Sequence, residues 1–246
     1  MSRKNRKQRH AHAHYNEHPE SNIHHLNIQK RKQIVLTPKN LSQENYICKL
    51  LDPMQTIVFA TGPAGTGKTM LAVLAAVKAL KNNDVERLVV TRPAVGVDDE
   101  KHGFLPGDLN AKMEPWTKPI FDVLREYYNA KEIQTMILEG VIEISPLAFM
   151  RGRTFKNAFI IADEMQNATP NQMKMLLTRI GDDSRMVVTG DIAQTDRRAH
   201  ENGLLDFQNL LDAYATSKFI SLCNFGHKDI ERHPAVAEVL DIYGDK

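Results

Sequence analysis

The chain is short of cysteine and of long apolar runs, and each shortage removes a class of protein. Only two of its 246 residues are cysteine, Cys48 and Cys223. Neither has a Cys-x-x-Cys partner and both sit inside apolar patterns. They read as buried thiols of a reducing compartment, not as a disulfide or metal framework. The longest uncharged, mainly apolar stretch runs from Thr69 to Val77, well short of the about 18 residues that span a bilayer as a helix. The N-terminus has no apolar signal-peptide core, so no membrane partner is expected and the expected location is the cytoplasm. An Asn-Lys-x-Asp segment, with which GTPases read guanine, is missing, and no internal repeat is found.

What is present suits a soluble globular protein, with 42% hydrophobic and 25% charged residues. The formal net charge of +2 hides a split. Residues 1–33 hold eight Lys/Arg against two Glu, which leaves the remainder at −4. Six of the ten histidines also fall in the first 30 residues, among few large apolar side chains. Such a segment buries too little surface to offset its chain entropy. Residues 1–32 are therefore expected to be a disordered, basic, His-rich arm, and residues 33–246 the folded domain.

Beyond the arm, strand and helix signals alternate, the pattern of a mostly parallel sheet with helices on both faces. Aliphatic runs occur at Thr56–Ala60, Leu88–Thr91, Val141–Ile144, Phe159–Ala162, Met186–Thr189 and Phe219–Leu222. Met173, Leu176, Leu177 and Ile180 follow helical spacing after a Thr169-Pro170-Asn171-Gln172 start, and Gly181 stands where a C-terminal cap is expected. Leu204, Phe207, Leu211 and Tyr214, and Val236, Val239, Leu240 and Tyr243, read as further core-facing stripes. The span Val95 to Pro119, with Gly103, Pro106, Gly107, Pro115 and Pro119, reads as a long functional loop.

The sharpest signal is Gly62-Pro63-Ala64-Gly65-Thr66-Gly67-Lys68-Thr69, a complete G-x-x-x-x-G-K-[ST] run between the strand Ile57–Ala60 and the helix Thr69–Leu80. Glycines let backbone N–H groups converge on phosphate oxygens. Lys68 reaches the outer phosphates, Thr69 is a ligand for Mg²⁺, and the helix N-terminus adds its dipole. Phe159-Ile160-Ile161-Ala162 delivers Asp163 and Glu164 to a strand end. Asp163 is the magnesium-side acid, and Glu164 is the candidate general base that activates water. Gly190-Asp191-Ile192-Ala193-Gln194 ends the next strand and places Asp191 and Gln194 where a γ-phosphate is sensed. A glutamate poised for water disfavours a small-metabolite kinase. The expectation is a single RecA-like P-loop NTPase domain that uses ATP and Mg²⁺.

This combination resembles the PhoH-like family, relatives of the superfamily 1 helicase motor core, in a short bacterial or phage form. The matching segments are Gly62–Thr69, Thr91-Arg92-Pro93-Ala94-Val95, Gly103–Leu109, Met150–Thr154, Asp163-Glu164, Gly190-Asp191-x-x-Gln194 and Ile230-Glu231-Arg232-His233-Pro234. The likeness covers about residues 34–243. It implies an ATPase linked to phosphate starvation and to RNA metabolism. It also implies that Gln43 contacts the adenine; from the residues alone, Gln43 reads equally as a surface residue at a helix N-terminus.

Hydrolysis of this kind uses an arginine against the γ-phosphate. Arg92, Arg151, Arg153, Arg179, Arg197, Arg198 and Arg232 are candidates, with Arg232 first and Arg151 or Arg153 next. Only 24 residues follow the last strand signal, too few for a second motor domain. A neighbouring subunit is therefore expected to complete the site, with a hexameric ring favoured. Two roles stand against each other: an ATP-driven remodeller of single-stranded RNA, or a nucleotide switch or scaffold for a protein such as a ribonuclease.

Overall fold

The β-branched and aliphatic runs form six strands; the four central ones are mainly apolar on both sides, which suits a parallel sheet covered on both faces, and the two edge runs carry Glu143 and Ser221. The computed structural model describes residues 33–93, 109–195, 201–214, 216–232 and 234–243. The basic arm expected over residues 1–32 lies outside the described residues. So do Ala94, Val95, the family-like segment 103–108, Arg197 and Arg198.

In chain order the elements are α1 (Leu41–Leu51), β1 (Ile57–Thr61), α2 (Lys68–Asn82), β2 (Arg87–Thr91), α3 (Leu109–Arg125), α4 (Ala130–Leu138) and β3 (Ile142–Ile144). There follow β4 (Ala158–Ala162), α5 (Pro170–Leu177), β5 (Arg185–Gly190), α6 (Gly203–Ala213), β6 (Ile220–Asn224) and α7 (Pro234–Tyr243). The strands lie in the order β3-β2-β4-β5-β1-β6, and every pairing is parallel. Each strand overlaps the aliphatic run that predicted it. The α/β expectation holds, with helices on both faces.

Alternation along the strands divides the core in two. Val58 and Ala60 of β1 and Phe159 and Ile161 of β4 face one cluster, completed by Tyr46, Leu71, Val73, Val77, Ile120 and Ile133 of α1 to α4. Ile57, Phe59, Ile160 and Ala162 face the other, with Met173 and Leu176 of α5, Leu204 of α6, and Leu147 and Met150 of a short 3-10 turn. Burying side chains of this size contributes about 1.5–3 kcal/mol each. The sheet is thereby held from both sides, and the C-terminal ends of β1, β4 and β5 come together at one edge.

Several local expectations are corrected. Helix α5 begins as expected: Thr169 Oγ1 accepts from Gln172 N, Gln172 Oε1 accepts from Thr169 N, and Pro170 is the first helical residue. It ends at Leu177, however, with Thr178 as its cap, so Gly181 is not the cap. Gly181 is small for another reason: its N–H donates to Phe155 O at 2.7 Å, and a Cβ there would lie 2.7 Å from that oxygen. Ile180 packs on the second cluster from beyond the helix.

The long loop is also overturned from residue 109 onward, where α3 runs through Pro115 and Pro119. A proline inside a helix costs about 3 kcal/mol or more. The buried stripe Thr117, Ile120 and Leu124 packs toward α2 and offsets it, while Pro119 faces solvent. Tyr214 and Val239 are exposed and belong to no core stripe. Cys48 is exposed and only Cys223 is buried.

Candidate active site

The P-loop leaves β1 with its glycines in conformations that suit only them. Gly62, Gly65 and Gly67 have φ of 134°, 85° and 82°. At Gly62 the demand is steric as well, since a Cβ would fall 2.2 Å from Phe225 O. Gly67, in the left-handed region, turns the chain directly into α2. The free N–H groups of the first helical turn thus open onto the loop. Ala64 and Gly65 form the exposed crest, whereas Thr66 is buried and donates from Oγ1 to Pro63 O at 3.0 Å.

Lys68 folds back into this cradle. Its Nζ donates to Gly62 O and Pro63 O, each at 2.7 Å, and lies 3.3 Å from Thr66 Oγ1. Burial lowers its pKa, opposed by the charges of Asp191, Glu164 and Asp163. A partly desolvated cation gains from an anion placed in the loop, beyond the partial compensation these acids give it.

Beneath the loop, Asp163 leaves β4 with its backbone N–H on Thr91 O at 2.9 Å. Its Oδ1 accepts from Thr69 Oγ1 at 2.8 Å and also from Thr189 Oγ1 of β5. The hydroxyl and carboxylate expected around magnesium therefore meet, as hard oxygen donors suited to that ion. Among the described residues no group of three or more His, Cys, Asp or Glu forms a metal site. Thr69 and Asp163 would thus hold magnesium together with phosphate oxygens, the usual arrangement for this ion.

Glu164 stands next, at φ 54°. A non-glycine residue held there costs about 1–3 kcal/mol, a strain also carried by Asn83, Asn157 and Asp183. Its Oε2 accepts from Gln166 Nε2 at 2.6 Å. The same nitrogen reaches Gln194 O at 3.4 Å, and Gln166 Oε1 accepts from Asp191 N at 3.1 Å. Gln166 is 1% exposed. Its signal in the sequence was only a polar residue in an apolar turn beside two acids, and sequence reasoning missed it. Asp191 is buried and its Oδ1 accepts from Ala193 N, whereas the Gln194 side chain stands in solvent. It is the Gln194 backbone that joins the cluster.

Two further candidates reach the loop from the opposite side. Gln43 is at a helix N-terminus but 1% exposed. Its Nε2 donates to Thr66 O at 3.1 Å and its Oε1 accepts from Lys39 N at 2.9 Å. The segment after β6 closes on the crest: Glu231 N donates to Gly65 O at 2.9 Å, and a Cβ on Gly65 would lie 2.6 Å from Arg232 Nε. Asn40 Nδ2 ties the two flanks together through Glu231 Oε1 at 3.1 Å.

The structure separates the other arginines. Arg153 is spent on Glu143, with both guanidinium ends on the carboxylate, and lies over the Phe155 ring at 4.5 Å. Arg179 donates to the Met175 and Arg153 carbonyls. Arg151 is exposed away from the loop, beside a groove of about 750 Å³ lined also by Lys174 and Arg179. Of the arginines whose contacts are described, Arg232 meets the P-loop.

A glycine cradle on a parallel sheet, with a buried lysine, a Thr–Asp pair and a strained glutamate at neighbouring strand ends, defines a P-loop nucleotide-binding core of the ATPase type. The PhoH-like protein family model matches residues 35–244. A PhoH-like protein of Synechocystis is 44% identical over 214 residues, covering 87% of this chain and 63% of the relative. Protein PhoH of Escherichia coli is 40% identical over 208 residues, covering 83% and 57%. The chain belongs to the PhoH-like family, and it spans about three fifths of the length of these relatives. Among solved structures, a Sulfolobus solfataricus SWI2/SNF2 ATPase core in complex with dsDNA is similar at 14% identity. That match has a TM-score of 0.38 over 65% of this chain and 34% of that one, too distant to bear weight. Among the described residues no helix is long and apolar enough to cross a membrane.

Proposed function

We propose that this chain hydrolyses ATP with magnesium and couples the turnover to the remodelling of single-stranded RNA. The observation that carries the ATPase reading is the meeting of Thr69 Oγ1 and Asp163 Oδ1 at 2.8 Å directly before Glu164. In this reading Gly62, Pro63, Ala64, Gly65, Thr66 and Gly67 wrap the phosphates, and Lys68 exchanges the carbonyls of Gly62 and Pro63 for phosphate oxygens. Thr69 and Asp163 hold magnesium, which neutralises phosphate charge when bound. Glu164 takes a proton from the attacking water, Asp191 and Gln194 report the γ-phosphate, and Arg232 meets the charge that develops on it. Gln43 holds the loop through Thr66 O and is the residue that the family resemblance assigns to the adenine.

RNA as the coupled partner is supported by the resemblance to the helicase motor core and by the basic composition of residues 1–33. A link to phosphate starvation rests on the family resemblance. A homo-oligomer, with a hexameric ring favoured, supplies a second arginine beside Arg232. Native mass spectrometry with ATP and Mg²⁺ should show it, and a monomer alone at active concentrations removes it.

The second reading, a slow switch or scaffold for a protein partner, is favoured by one observation. Residues 34–246 carry a net charge of −4, not the basic balance of a nucleic-acid-binding surface. Phosphate release by the wild type, Lys68→Ala and Glu164→Gln, with and without single-stranded RNA, tests the whole assignment. Lys68→Ala should lose nucleotide binding, and Glu164→Gln should bind but not turn over. Two mutants as active as the wild type sink the site, while turnover indifferent to RNA at low salt sinks the RNA reading and leaves the switch.

A further inference from the structure

Among the described residues, the Gln166 side chain touches both Glu164 and the loop Gly190–Thr195. Its two N–H groups point to Glu164 Oε2, at 2.6 Å, and to Gln194 O, at 3.4 Å, and its Oε1 takes the Asp191 N–H at 3.1 Å. Thr195 Oγ1 donates to Gln166 O at 3.1 Å, so the backbone is tied to the same loop. These partners fix which end of the amide is nitrogen, because a carboxylate and a carbonyl accept only from N–H and the Asp191 N–H needs an acceptor. The pocket for this amide is shaped from the far side too. A Cβ on Gly190 would lie 2.7 Å from Gln166 Oε1 and 2.6 Å from Leu204 Cδ2. Nothing larger than glycine fits at the end of β5 while Gln166 keeps its place and α6 stays packed.

We infer that Gln166 is a positioning residue that makes the orientation of Glu164 depend on the loop Gly190–Thr195. The inference rests on the ATPase reading of the site. Glu164 has a strained backbone and one strong hydrogen bond to its carboxylate, so its aim follows its tether. The tether in turn is held by Asp191 N and Gln194 O, which belong to the loop expected to sense the γ-phosphate. A shift of that loop, from nucleotide below or from a partner drawing on α6, reaches Glu164 through one amide. Gln166 need not touch ATP, because it acts through the glutamate. Misplacing a reacting group by about 1 Å costs about 100-fold in rate, so a tether of this kind controls turnover without controlling binding.

The test is a kinetic cycle on the full chain. Gln166→Met keeps the volume and removes all three side-chain hydrogen bonds. It should lower kcat about 10- to 100-fold with the KM for ATP and the nucleotide Kd little changed, and lower the thermal midpoint by a few degrees because the buried Asp191 N–H loses its acceptor. Gly190→Ala disturbs the same amide from the opposite side and should lower kcat in the same way. In a Glu164→Gln background, followed in single turnovers, Gln166→Met should have no further effect, since the group it positions is gone. A Gln166→Met chain with full kcat overturns the inference, as does a loss that is fully additive with Glu164→Gln. A loss confined to KM or to stability assigns Gln166 a structural role and also overturns it. A wild-type chain that binds ATP without any turnover refutes the ATPase reading itself, which these other results do not.

Discussion

Replacing Arg232 by alanine asks whether the arginine of this site serves its own P-loop or a neighbour's. Arg232 lies over Gly65 of the same chain, anchored one residue earlier by the Glu231 N to Gly65 O bond. An arginine meeting a phosphate makes a charge-assisted hydrogen bond of about 1.5–3 kcal/mol, or about 10- to 150-fold in rate. The side chain is exposed, so solvent screening favours the lower half of that range. Arg232→Ala should therefore reduce kcat about 10- to 50-fold. The assay that places the effect mixes two damaged chains: Arg232→Ala, with an intact Lys68 and Glu164, and Lys68→Ala, with an intact Arg232. If a neighbour donated Arg232, equal mixing in a closed ring would pair an intact site with an intact arginine at about one quarter of interfaces. Activity would then recover to about a quarter of wild type. Cis placement predicts no recovery, only the mean of the two mutants. Recovery toward that quarter refutes the cis assignment and would return the trans role to Arg232.

The remaining predictions probe the frame around the site. Thr169→Ala breaks the capping box of α5 and should cost about 1 kcal/mol, read as a fall of about 2–4 °C in thermal midpoint. Gly62→Ala places a Cβ 2.2 Å from a backbone oxygen and should leave little folded protein. Gly140→Ala, at φ 75° with nothing within 4 Å, should cost only about 1–2 kcal/mol of backbone strain. Burial raises the Cys223 thiol from its ordinary 9.0 to about 11, so its neutral form stabilises the fold in full below pH 9.0, and that contribution is lost as pH rises through about 11. The difference in midpoint between the wild type and Cys223→Ala should shrink across that window; a constant difference refutes it. Alkylation at pH 8 should label the exposed Cys48 and spare Cys223, of which only about one molecule in a thousand is thiolate. Two adducts on the folded chain contradict that burial.

What could be seen in the sequence was what repeats or what chemistry restricts. The four central strands were legible because a covered parallel sheet demands apolar residues on both faces, and the two edge strands because aliphatic residues flank Glu143 and Ser221. The P-loop was legible because only glycines tolerate φ of 134°, 85° and 82° beside a phosphate cradle. Helix α3 was misjudged because Pro115 and Pro119 are local signals, whereas the burial of Ile120 and Leu124 that overrides them is tertiary. Gly181 was misjudged for a like reason: its requirement comes from Phe155, 26 residues earlier in the chain, and not from the helix before it.

Gln166 shows where sequence reasoning ends for the site itself. Asp163 and Glu164 are recognisable by type, since magnesium and water activation call for carboxylates. An amide that joins Glu164 to Asp191 N and Gln194 O acquires its meaning only when β4 and β5 lie side by side, with Ala162 opposite Val188. The same pairing brings Thr189 onto Asp163. β5 therefore does more than separate the P-loop strand from the acidic strand. Its C-terminal end carries Thr189 on the Asp163 carboxylate and Asp191 on the Gln166 amide, so one short segment bears on both the acid proposed for magnesium and the proposed base. A force applied to that segment reaches binding and hydrolysis by different side chains.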